Sequence, residues 1–142
     1  GVSPASVANW RLMVSGPVKS VSLSRSQLMA MPQHTCSLPI ACVEGWSTTQ
    51  RWTGVRVRDL GALVGAPADA QVHVQSIQPS GPFRHADLST AQLQDPRTLL
   101  ALHVNGVALS PDHGYPARLI LPAQPGVHCT KWVGFMNFYV QA

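Results

Sequence analysis

A cysteine closes an apolar run in Ile40-Ala41-Cys42-Val43-Glu44-Gly45-Trp46-Ser47, and Trp52 and Gly54 follow a short polar interval later. A thiolate at Cys42 has two chemical uses, as a nucleophile or as a soft metal ligand. Most cysteines in such runs are simply small packed hydrophobes, so the surroundings must decide. Nucleophilic catalysis would need a histidine base and an orienting group. His34, His73, His85, His103, His113 and His128 supply bases, but no recognised arrangement ties one of them to Cys42. Structural zinc is poorly served too. Cys36 and Cys42 are too far apart, and His128 and Cys129 too close, for the roughly two to four residues that separate paired ligands. Neighbours on a strand also point to opposite faces. In an oxidising compartment Cys36 and Cys129 could instead form a disulfide.

Composition narrows the chemistry further. The chain has 142 residues, 45% hydrophobic and only 11% charged, which suits one folded domain spanning 1–142 and excludes disorder. Its net charge of +4 comes from scattered residues, only Lys19 and Lys131 being lysines. A nucleic-acid surface would show a basic stripe, so isolated arginines and lysines read better as parts of a local anion site such as a phosphate pocket. The six carboxylates are Glu44, Asp59, Asp69, Asp87, Asp95 and Asp112, too dispersed for paired-carboxylate or two-metal catalysis. No apolar run approaches the length of a membrane span, and no signal peptide is visible. The start at Gly1 without methionine reads as a processed or engineered fragment, with room for a leader or anchor upstream.

The elements that must position these residues are short. Trp10–Val14 and Val18–Leu23 alternate as strands around Gly16-Pro17, and Ser24-Arg25-Ser26-Gln27 is a capping box opening a helix through Met31. His34–Val43 is extended. Val55–Val64 is expected to be a helix, with Val57, Leu60 and Val64 on one face and Gly65 as its stop. Gln71–Ile77 alternates as a strand, and Ser89–Leu93 could form a short helix before Asp95-Pro96. Leu99–Val104 and Val107–Leu109 flank Asn105-Gly106, the strongest hairpin signal in the chain. Ala117–Leu121 and Val133–Val140 complete about seven strands and two or three short helices, a mixed, β-rich α+β domain.

Cys42-Val43-Glu44-Gly45-Trp46-Ser47 followed by Trp52-x-Gly54-Val55 resembles the core signature of the oxidoreductase molybdopterin-binding domain, the sulfite oxidase superfamily. It is most similar to the bacterial branch that contains the periplasmic methionine-sulfoxide reductase catalytic subunit. Trp10-Arg11-Leu12-x-Val14-x-Gly16-x-Val18, Asn105-Gly106-x-x-Leu109, His113-Gly114-x-Pro116-x-Arg118-Leu119 and Lys131-Trp132 follow the family order, from Trp10 to Tyr139. The resemblance implies the sulfite-oxidase-type fold and a molybdenum–molybdopterin (Mo-MPT) cofactor. It makes Cys42 the one protein ligand to molybdenum. By the same resemblance Arg118 is the pterin-binding arginine, and Cys129, Thr130 and Lys131 form the cofactor loop. His113 and Ser76 are polar pterin contacts. Trp46 and Trp52 read as packing residues and Glu44 as structural. Two departures stand out. Only Asn9 precedes Trp10 where that branch carries an Asn-containing pterin segment, and the arginine-rich sulfite pocket has no nearer counterpart than Arg84.

The expected function is a molybdopterin-dependent oxidoreductase domain that transfers an oxygen atom to or from a small substrate. It would act outside the cytoplasm, in the periplasm by resemblance, with a haem protein or membrane cytochrome as electron partner. The alternative is a cofactor-free binding or interaction module that keeps the fold.

Overall fold

The computed structural model describes residues 10–41, 47–77, 85–110, 113–122 and 130–140, with the backbone alone at 38–41 and 47–49. Alternation does at the N-terminal side what the period requires. Strand β1 (Arg11–Ser15) buries Leu12 and Val14 and pairs antiparallel with β2 (Ser20–Ser24). The capping box holds. The Ser24 hydroxyl accepts from the Gln27 N–H while the Gln27 side chain accepts from the Ser24 N–H, starting α1 (Arg25–Ala30). Strand β3 (His34–Ala41) then pairs with β4 (Ser47–Arg56) from His34↔Gly54 to Ala41↔Ser47.

Helix α2 (Val57–Leu63) buries Val57 and Leu60, and Gly65 stops it at φ +79°. It starts two residues later than the apolar spacing suggests, because Val55 and Arg56 are paired across to Leu100 and Leu99. Strands β5 (Gln71–Ser76) and β6 (His85–Leu88) form an antiparallel ladder, and Ser89 with Gln92 builds a second capping box for α3 (Thr90–Gln94). Strands β7 (Leu99–Val104) and β8 (Val107–Ala108) meet at the Asn105-Gly106 turn, whose φ of +52° and +84° is the left-handed pair that Asn-Gly favours. Strands β9 (Arg118–Ile120) and β10 (Val133–Tyr139) complete the set. Ten strands thus appear among the described residues, against the seven or so expected.

The strands make two sheets. One runs β2-β1-β10-β5-β6, with β1 and β10 parallel. The other runs β3-β4-β7-β8, with β9 sharing the far edge of β7. Leu12, Val14, Val72, Val74, Met136 and Phe138 of the first sheet pack against Val55, Leu100, Leu102 and Leu119 of the second, forming the main core. Strand β7 is covered on both faces, as its apolar run Leu99–Leu102 requires. Leu100 and Leu102 enter the main core, whereas Leu99 and Ala101 join Trp52, Ile120 and Leu109 in a second cluster on the far face.

Candidate functional site

That far face carries the chemistry. Strand β9 pairs Arg118 with Ala101, Leu119 with Leu100 and Ile120 with Leu99. Alternation therefore sends Leu119 into the main core and sets Arg118 beside Trp52. Arg118 is 4% exposed, and its guanidinium carbon lies 5.0 Å from the Trp52 ring centre. Burying a guanidinium is costly unless hydrogen-bonding groups and a π face meet it. Here the His113 carbonyl accepts from Nη1 at 3.5 Å. Trp52, expected only to pack, is fully buried and also supplies the π face over which the Arg118 guanidinium sits.

Two loops are stitched together next to Arg118. The Thr130 carbonyl accepts from the Leu119 N–H at 2.8 Å, the Gly114 carbonyl from the Trp132 N–H at 3.3 Å, and the Ala117 carbonyl from the Val133 N–H at 2.9 Å. Gly114 has φ +110°, and a Cβ there would stand 3.1 Å from the Arg118 Cβ and 3.2 Å from the Lys131 Cβ. Only a glycine lets these two cations' stems close on the loop. Trp132 itself takes φ +53°, which sets its carbonyl against the end of β5. That carbonyl accepts from the Ile77 N–H at 2.8 Å and from the Ser76 hydroxyl at 3.3 Å. Lys131 places its Nζ 5.8 Å from the Trp132 ring centre.

The sequence candidates thus divide cleanly. Ser76, His113, Arg118, Thr130 and Lys131 converge on one corner, through the β5 end, the 113–117 loop, β9 and the 130–133 knuckle. Ser76 contributes through Trp132 and the backbone. His113 is exposed, and Ser110 engages its Nδ1 at 2.9 Å, leaving Nε2 as the ring nitrogen for a ligand. Cys42, Cys129, Arg84 and Asn9 lie outside the described residues, as do Glu44 and Trp46. Cys36 is free and half-buried on β3, opposite Trp52; burial pushes its thiol up, against the pull of Arg97. No set of three metal-ligating side chains comes together among the described residues. None of the described helices is long and apolar enough to cross a membrane.

Sequence reasoning missed Gly114 and Trp132 as site-builders. The His-Gly and Lys-Trp pairs were visible, but the left-handed backbone that gives them meaning was not. The corner suits a bulky anion. Arg118 and Lys131 offer charge, Gly114 lets their stems close together on the loop, and the fully buried Thr130 Oγ1 has no hydrogen-bond partner among the described residues. A buried hydroxyl left unsatisfied costs about 1–3 kcal/mol, which a polar group bound against it would recover.

The profile of the oxidoreductase molybdopterin-binding domain matches residues 1–141. Mitochondrial sulfite oxidase of Mus musculus is 32% identical over 153 residues, covering 88% of this chain and 28% of its own. A bacterial relative, YedZ1 of Azospira oryzae, provisionally named a protein-methionine-sulfoxide reductase subunit, is 32% identical, covering 93% of this chain and 50% of its own. The crystal structure of the sulfane dehydrogenase SoxCD from Paracoccus pantotrophus superposes with a TM-score of 0.82 at 25% identity, over 100% of this chain and 40% of that one. The chain therefore spans between about a quarter and a half of these relatives. It belongs to the oxidoreductase molybdopterin-binding domain family, whose members are molybdenum-cofactor oxidoreductases.

Proposed function

We propose that this chain is the cofactor-carrying domain of an enzyme that transfers an oxygen atom to or from a small substrate, with Cys42 as the protein's ligand to molybdenum. The observation that carries this reading is the corner itself: a buried arginine, a lysine, an unsatisfied buried hydroxyl and a glycine on which the two cations' stems close, all in family order. Arg118 and Lys131 would meet the anionic tail of molybdopterin, Thr130 Oγ1 and His113 Nε2 would meet its polar edge, and Cys129 would belong to the same loop. When bound, the cofactor supplies a metal that changes oxidation state by two and accepts or releases one oxygen atom. The chain's part is to hold and orient it. Two electrons per turnover must move singly, so a haem protein or membrane cytochrome is the partner expected, and the periplasm or another extracytoplasmic compartment the location.

The test is molybdenum and pterin analysis of the full-length protein made in a host that synthesises the cofactor. Wild type and Cys36→Ser should hold about one molybdenum per chain, and Cys42→Ser should lose it while keeping its circular dichroism. Retention in Cys42→Ser with loss in Cys36→Ser would overturn the ligand assignment. Wild type without molybdenum or pterin would leave a binding module in place of an enzyme.

A further inference from the structure

The outer face of the first sheet carries a second group of ligand-forming side chains, turned away from the core. His73 of β5 lies directly opposite Asp87 of β6, and His85 sits diagonally, opposite Gln75. Inward positions Val72 and Val74 are fully buried, so His73 and Gln75 belong to the outer face by alternation. Asp87 and His85 are exposed, and the His73 side chain is about a third exposed.

The geometry points to a surface site for one divalent transition-metal ion of imidazole preference, such as Zn(II), Cu(II) or Ni(II), held by His73 and His85 and independent of the molybdopterin corner. Three observations converge. First, His73 Nδ1 is 2.7 Å from Asp87 Oδ1. A carboxylate only accepts, so Nδ1 carries the proton and Nε2 is the ring nitrogen left to bind a metal ion. A carboxylate behind a histidine is also the arrangement that orients metal-binding rings and raises their basicity. Second, the His73 and His85 ring centres lie 5.6 Å apart with planes inclined by 37°. Two imidazoles bound to one ion at about 2.0–2.1 Å hold their centres roughly 5–6 Å apart, so small rotations of the rings suffice. Third, the site is open to water. Fewer than three protein donors meet among the described residues, so solvent would complete the coordination sphere. An ion there would also clip the short β6 strand, which buries Leu88 alone, onto β5.

Titration calorimetry with ZnCl2, and copper electron paramagnetic resonance with CuCl2, test this on the intact protein at pH 7.5. Because the thiols also bind these ions, the decisive quantity is the difference from a His73→Gln/His85→Gln double variant. Wild type should bind one more ion per chain, with the copper spectrum showing two imidazole nitrogens. Asp87→Asn should weaken that ion's binding by about 10-fold or more while keeping the stoichiometry. Molybdenum content should not change in any of these variants. Equal stoichiometry and affinity in wild type and the double variant would overturn the proposal, as would a copper spectrum without paired imidazoles.

Discussion

At Arg118 two contacts of the guanidinium do different work. The Trp52 face offsets part of the cost of burial, and the His113 carbonyl accepts from Nη1. Lysine keeps the charge but not the planar fork, so it cannot stack on Trp52 as a plane while donating from several N–H groups at once. Arg118→Lys should therefore lower molybdopterin retention by roughly 10-fold, as read by pterin fluorescence after desalting, with little change in secondary structure. Thr130 gives the sharper test. Its Oγ1 is buried without a partner among the described residues. Thr130→Val removes that hydroxyl at nearly constant shape, so cofactor-free protein should be more stable by about 1 kcal/mol in urea melts, while cofactor retention falls. A hydroxyl that served packing alone would not move the two readouts in opposite directions.

Elements here are short and depend on their ends and crossings. Ser24 and Ser89 each cap a helix of no more than six residues, so Ser89→Ala should cost about 1 kcal/mol in the urea midpoint. The β4–β7 crossing is less forgiving. A Cβ at Gly54 would run into the Leu100 carbonyl and the Ala101 backbone, neither of which can turn aside as a side chain could. Gly54→Ala should destabilise by about 3 kcal/mol or more, or abolish soluble expression, because the β4–β7 register that places Trp52 under Arg118 must shift.

Across the whole molecule, stability should fall as the solution is acidified from neutral. Burial, and next Arg25, hold the half-buried His103 below its ordinary value. The unfolded chain then takes the proton first, near pH 6.5, and gains on the folded one as pH drops. Asp95 follows a carboxylate's sign. Hydrogen bonds from Arg97 hold it below the usual range, so its contribution is present above that range and is lost as pH falls through the lowered folded value. Urea midpoints measured from pH 7.5 to 3.5 should decline in two stages, the first flattened by His103→Gln and the second by Asp95→Asn.

What the residue order determined by itself was local chemistry. Two capping boxes, the Asn105-Gly106 turn, the alternating strands at β1 and β5 and the apolar face of α2 all depend on neighbours a few positions away. The candidate pocket residues were legible because their order along the chain resembles a known family's, and five of them meet at one corner. Strand β6 was not legible, since it buries only Leu88 and has no alternation. Nor was β4, whose polar stretch is made a strand by pairing with β3 and β7. The role of Trp52, the pinch at Gly114 and the turned-out carbonyl of Trp132 came only from the tertiary structure. Each joins segments tens of residues apart, and such contacts are set by how two sheets share one core rather than by any local preference.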